Sequence, residues 1–142
     1  MSRFFIGRMI LLLENMMTSF NYFETDPFKK DLKSLLKHFK TLVEDLEVAK
    51  KNAIELYHLR NIDNKSIFPI QGFCFDNLFV CKIKKFTCKA MKGKGCQSGI
   101  RVIYAFHKEK ERVDFIEIYY KADQINENRE RIKDYLKSVN IN

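Results

Sequence analysis

Lys82-Ile83-Lys84, followed after a lysine-rich connection by Ser98-Gly99-Ile100-Arg101-Val102-Ile103-Tyr104, is the part of the chain whose residue types could do chemistry. Side chains alternate along a strand, so Lys82 and Lys84 share a face that Ile83 does not. Arg101 opens a second strand able to lie beside them. Three cations on one sheet face have no place in a core, and they suit a polyanion whose phosphate is gripped or attacked. Metal-free RNA cleavage is one reaction of that kind. The ribose 2′-OH serves as nucleophile, and the protein must take its proton, stabilise a phosphorane-like transition state and protonate the leaving 5′ oxygen. A lysine crowded by other cations can give up its proton and act as base while its neighbour stays charged against the phosphate. Arg101 adds a planar fork for phosphate oxygens. The competing reading makes Lys82 and Lys84 a solvated or edge-protecting strand face, and pairs Arg101 with Glu117 or Asp114 on the next strand.

A general acid is harder to find. Tyr119 and Tyr120 point to opposite faces of their strand, so one belongs to the core and the other is available to stack on a base or donate a proton; the register decides which. His107 shares strand parity with Arg101 but sits at the far end beside a turn, which favours a structural or solvent-exposed role. His38 and His58 fall in the helical region without a triad-like context. Cys74, Cys81, Cys88 and Cys96 form no Cys-x-x-Cys pair, so no metal site is expected; they read as reduced thiols, with Cys81 a small core residue on the face of Ile83. Lys92-Gly93-Lys94-Gly95 lacks the spacing and following helix of a phosphate loop, which argues against nucleotide hydrolysis, and no cofactor is expected.

Charge supports a nucleic-acid or acidic-protein partner. The 142 residues carry a formal net charge of +8, and Lys82, Lys84, Lys85, Lys89, Lys92 and Lys94 fall in one segment without an acid. A solvated basic surface is the plainer explanation. The length fits one domain with a substantial core.

The elements that must position these residues follow from periodicity. Phe20 to Phe23 reads as a short strand, and Thr25-Asp26-Pro27 as a helix entry with a capping side chain and an early proline. Phe28, Leu32, Leu35, Leu36 and Phe39 recur at helical spacing. Thr41-Leu42-Val43-Glu44 has the capping-box pattern and leads into a second stripe of Leu42, Leu46, Ala49, Ala53 and Leu56, giving a helical hairpin. Residues 58–78, with Pro69 and Gly72, read as an irregular connection containing a small strand around Ile67 to Ile70. Strands are predicted over Phe79 to Phe86, Ile100 to His107 and Val113 to Tyr120, the last two as a hairpin. Ile132, Tyr135, Leu136 and Val139 form the apolar face of a closing helix.

The start of the chain stands apart. Phe4 to Leu13 is apolar, but Arg8 interrupts it, Glu14 closes it and no small-residue cleavage site follows, so neither a secretory signal nor a membrane span is expected. Residues 1–16 are expected to be a non-native or disordered extension preceding a single domain over 17–142, with the natural product starting at Met16 or Met17.

Over Phe20 to Leu136 the chain resembles the RelE/ParE superfamily of bacterial type II toxin–antitoxin toxins. The resemblance rests on Phe28-Lys29-Lys30-Asp31-Leu32, Phe79-Val80-Cys81-Lys82-Ile83-Lys84, Ser98-Gly99-Ile100-Arg101-Val102-Ile103-Tyr104 and Phe115-Ile116-Glu117-Ile118-Tyr119-Tyr120-Lys121, in that order. It implies an α+β fold: an N-terminal helical hairpin packed on a twisted antiparallel sheet, with a C-terminal helix. RelE-like members cut mRNA in the ribosomal A site, whereas ParE-like members inhibit DNA gyrase. The Lys-Ile-Lys strand and the strand-opening arginine match the first branch, which implies a catalytic role for Lys82, Lys84 and Arg101. Lys85, Lys89, Lys92, Lys94 and Lys121 are the expected nucleic-acid-binding positions. The C-terminal arginine and tyrosine of the RelE pattern have no clean counterpart; Tyr119, Tyr120 and Arg129 are the candidates for general acid or stacking residue. A cytoplasmic location, a cognate acidic antitoxin, the ribosome and mRNA are implied, with no membrane partner. The alternatives are a gyrase inhibitor or a decayed, antitoxin-binding module.

Overall fold

The structure is a computed structural model, and it describes residues 20–141. The predicted extension over 1–16 lies outside the described residues. Five strands form one sheet: β1 (Asn21–Glu24), β2 (Ile67–Cys74), β3 (Leu78–Ile83), β4 (Ile100–His107) and β5 (Arg112–Tyr120), in the order β1-β5-β4-β3-β2. The β2–β3, β3–β4 and β4–β5 pairs are antiparallel, whereas β1 lies parallel to β5. The fold is thus α+β with a mixed sheet.

Both faces of the sheet are covered, which is why β4 and β5 are buried almost throughout instead of alternating. One face carries α1 (Asp26–Leu36) and α2 (Leu42–Ala49). Phe28, Leu32, Leu42 and Leu46 pack there with Cys81, Ile83, Val102, Tyr104 and Phe115. The other carries α3 (Arg129–Ser138), whose Ile132, Tyr135 and Leu136 pack with Val80, Ile103, Ala105, Ile116 and Tyr119.

Local chemistry explains the helix boundaries. Thr25 Oγ1 accepts from the Phe28 N–H, closing the first turn of α1, and donates to the Phe115 carbonyl, tying that turn to β5. Pro27 occupies the second helical position, where its missing N–H is not needed. The expected capping box at Thr41 does not form. Thr41 Oγ1 instead donates to Asp45 Oδ2 at 2.7 Å and accepts from the Ala90 N–H at 2.9 Å. Asp45, 3% exposed, also accepts from the Lys89 N–H. Those bonds fasten the lysine-rich β3–β4 connection to α2, with Phe86 and Cys88 buried beneath it.

Two other differences from the sequence reading have clear causes. After Ala49 the second helix widens into a π-helical segment (Lys50–Glu55) before a last turn at Leu56–His58. The wider turn shifts the apolar phase, so Ile54 is fully buried and Leu56 only partly so. Residues 67–74 form a full strand despite Pro69 and Gly72. It is an edge strand whose register slips between Pro69 and Cys74, the setting in which a sheet accepts proline and glycine. No helix among the described residues is long and apolar enough to cross a membrane.

Candidate active site

Ladder pairing places the cations. Lys82 stands opposite Phe68 on β2 and Ile103 on β4, and Ile103 stands opposite Glu117 on β5. One step along, Arg101 pairs with Tyr119. Lys84 lies just past the end of β3, with its N–H donating to the Ser66 carbonyl at 2.9 Å and its Nζ 4.5 Å from the Phe68 ring centre. Phe68 pairs with Lys82, so this contact puts Lys84 on the face of Lys82 and Arg101, the face that α3 partly covers. Gly99, with φ +81°, directly precedes β4, and its carbonyl accepts from the Lys121 N–H at 2.8 Å, which fixes where the strand begins.

The cations have different surroundings. Arg101 donates from its guanidinium to the Lys84 carbonyl at 2.7 Å, so the side chain is held by the end of β3. It pairs with neither Glu117 nor Asp114: Asp114 pairs with Arg112, and Glu117 accepts from Gln124 Nε2 at 3.0 Å and the Asn128 N–H at 2.9 Å. Lys84 is exposed. Lys82 is largely covered, its Nζ 3.0 Å from Glu127 Oε2, with side-chain exposures of 12% and 11%. An anion, not a second cation, is therefore its immediate partner. Burial alone pushes the Glu127 carboxyl up; the hydrogen bond and charge from Lys82, with Arg129 behind, outweigh it and hold the group below its ordinary value.

Tyr119 completes the constellation. It is 5% exposed, and its hydroxyl is the one buried side-chain polar atom among the described residues without a hydrogen-bond partner. Leaving such a group unpaired costs about 1–3 kcal/mol, so it calls for an explanation. Burial, followed by Glu127 and Glu117, pushes its phenol up to about 12. A bulge brings it here: Ile103 pairs with Glu117 but Tyr104 with Phe115, so Ile116 is the extra residue and both Ile116 and Glu117 serve the α3 side. Beyond the bulge the alternation is inverted. Tyr119 joins the Arg101 face, and Tyr120 turns to the opposite one, its ring 5.1 Å from Phe39.

The remaining predicted residues are dispersed. Lys85, Lys89, Lys92, Lys94 and Lys121 are all exposed, the first four along the β3–β4 connection and Lys121 just after β5. Arg129, at the start of α3, lies 4.5 Å from the Phe73 ring and donates to the Gln71 carbonyl. His107 is at the other end of β4, its Nε2 2.6 Å from Tyr135 Oη and 3.1 Å from Asp114 Oδ2. His58 Nε2 lies 2.7 Å from Tyr104 Oη beneath the helices. Glu127 was missed by the sequence reading. Its only signal is its place directly before Asn128, which caps α3 by accepting from the Arg131 N–H at 3.1 Å.

No family model and no curated protein matches the chain. Three solved structures are similar to it, all of RelE toxins. The archaeal RelE–RelB complex from Pyrococcus horikoshii OT3 aligns at 12% identity and TM-score 0.45, over 72% of this chain and 96% of that one. A free E. coli RelE mutant aligns at 19% identity and TM-score 0.43, over 85% and 98%. The isolated E. coli toxin aligns at 18% and 0.38, over 84% and 98%. These likenesses concern the backbone path and assign no residue a role.

Proposed function

We propose that the protein is the toxin of a type II toxin–antitoxin pair and acts as a ribosome-dependent mRNA endoribonuclease, cleaving by metal-free attack of the ribose 2′-OH. The supporting observation is the juxtaposition of Lys82, Lys84, Arg101 and Tyr119 on one face at the β3–β4 exit, with Arg101 held by the Lys84 carbonyl. In this reading Arg101 and Lys84 stabilise negative charge on the reacting phosphate, and the exposed lysines from Lys85 to Lys94, with Lys121, draw in the RNA backbone. The same basic surface suits an acidic antitoxin, and the setting is cytoplasmic.

A second reading, a non-enzymatic gyrase inhibitor or decayed antitoxin-binding module, is favoured by one specific observation: Lys82 is occupied by Glu127. Purified protein added to translating ribosomes separates the two. A-site mRNA cleavage that disappears in Lys84→Ala and Arg101→Ala supports the nuclease; inhibited DNA supercoiling with intact mRNA supports the second reading and overturns the first.

A further inference from the structure

We propose that Glu127 is a built-in stand-in for substrate: its carboxylate holds the phosphate position on Lys82, and an RNA phosphodiester must displace it, taking over Lys82 and the unpaired Tyr119 hydroxyl. The inference rests on the nuclease reading of this same face. Three independent features carry it. Glu127 pairs with Lys82 at 3.0 Å, both side chains largely covered, on the sheet face that also carries Lys84 and Arg101. Tyr119 Oη, buried on the same face and paired through the ladder with Arg101, has no partner in the closed arrangement. The segment carrying Glu127 is anchored on either side by a different carboxylate: Glu117 accepts from Gln124 Nε2 and the Asn128 N–H. Glu127 can therefore leave Lys82 while the start of α3 stays in place.

The chemistry of exchange is balanced in charge. A carboxylate and a phosphodiester each carry one negative charge and present oxygen acceptors, so Lys82 keeps an anionic partner throughout. The gain comes from groups that Glu127 leaves unused. Tyr119 donates the hydrogen bond it lacks, while Lys84 and Arg101 add charge that a single side-chain carboxylate does not reach in this structure. An isolated small anion makes too few of these contacts to replace a tethered one, so the gate favours an extended RNA strand.

The test is binding of a 2′-O-methyl oligoribonucleotide, which cannot be cleaved, to the full chain by fluorescence anisotropy. Glu127→Asp keeps the charge but is one methylene too short for Lys82, and it is expected to tighten binding about 5- to 10-fold. Glu127→Gln should do at least as much, whereas Glu130→Gln, an identical charge change on the exposed side of α3, should stay within about twofold. Tyr119→Phe should weaken binding several-fold without lowering the melting temperature, because the deleted hydroxyl has no partner to lose. If both Glu127 variants bind no tighter than the parent while Arg101→Ala loses binding, the gate is overturned and the nuclease reading stands. Unchanged binding in Lys84→Ala and Arg101→Ala overturns both. Tightening toward polyglutamate but not toward the oligoribonucleotide also overturns the proposal, moving the gate to an acidic protein partner.

Discussion

The α3 face of the sheet has a polar cluster at each end, and the two are built on opposite rules. At the His107 end every group is satisfied. Asp114, 1% exposed, accepts from Arg112 Nε at 2.6 Å and from the Tyr135 hydroxyl, and His107 Nε2 lies within hydrogen-bond distance of both Asp114 and Tyr135. At the Lys82 end one hydroxyl is unpaired, one cation is exposed, and the single ion pair holding the cluster closed comes from a loop residue. Tyrosine, carboxylate and cation appear at both ends. Their composition does not distinguish a strut from a site; their saturation does. A saturated buried network locks α3 to the hairpin and offers a ligand nothing, whereas the unsaturated one forgoes folding energy that a ligand can supply.

That contrast can be broken most directly at Asp114. Asp114→Ala removes the acceptor shared by Arg112, His107 and Tyr135, and is expected to lower the unfolding free energy in urea by about 3 kcal/mol while RNA affinity of the folded fraction is unchanged. A comparable loss of affinity would erase the distinction between the two ends. Arg101→Ala is the mirror experiment. It should reduce mRNA cleavage on ribosomes about 100-fold with less than about 1 kcal/mol lost in stability; a collapse in stability instead would make the cationic end a strut too.

Acid sharpens the comparison by showing where buried imidazoles sit. Burial holds the His58 pKa down to about 4, and lowers that of His107 against an opposing pull from Asp114. In both cases the unfolded chain takes up a proton before the folded one does. The stability they contribute is therefore complete above the unfolded value of about 6.5 and falls as the pH drops below it, for His58 until about 4. At about 1.4 kcal/mol per pH unit, the loss from His58 between about 6.5 and about 4 is on the order of 3 kcal/mol. His58→Gln should flatten most of the acid limb of a stability–pH profile and His107→Gln a smaller part, with neither changing RNA affinity at pH 7.5. The smallest effect is expected from the outer lysines: Lys92→Gln and Lys94→Gln should each weaken RNA binding a few-fold at low salt, and each lower the slope of log affinity against log salt by about 0.7.

The elements carrying both clusters were largely legible because local patterns produce them. The stripe through Phe28 and Leu32 and the alternation that separates Lys82 from Ile83 need no distant partner. What stayed hidden depends on contacts far apart in sequence. The parallel pairing of Asn21–Glu24 with β5 joins residues about ninety positions apart and has no turn signature. Pro69 and Gly72 masked the extent of β2 beyond the small strand expected around Ile67 to Ile70, since both are breakers until the strand is known to be an edge. The capping pattern at Thr41 was outcompeted by the β3–β4 connection, whose Ala90 N–H uses the same hydroxyl. At the site, parity alone put Lys82 and Lys84 on one face, and placing Arg101 beside them required the pairing of β3 with β4. Choosing between Tyr119 and Tyr120 required the bulge, and Glu127 required the path of the loop before α3.

The extra residue in β5 has a consequence for how the protein tolerates change. Deleting Ile116 would restore plain alternation and leave every other pair as it is, Phe115 with Tyr104 and Tyr119 with Arg101. Tyr119 would still face the cations, while the α3 side of the sheet would lose the buried Ile116 side chain. The penalty for losing the bulge thus falls on the core rather than on the proposed site, so damage at this strand would show first as misfolding.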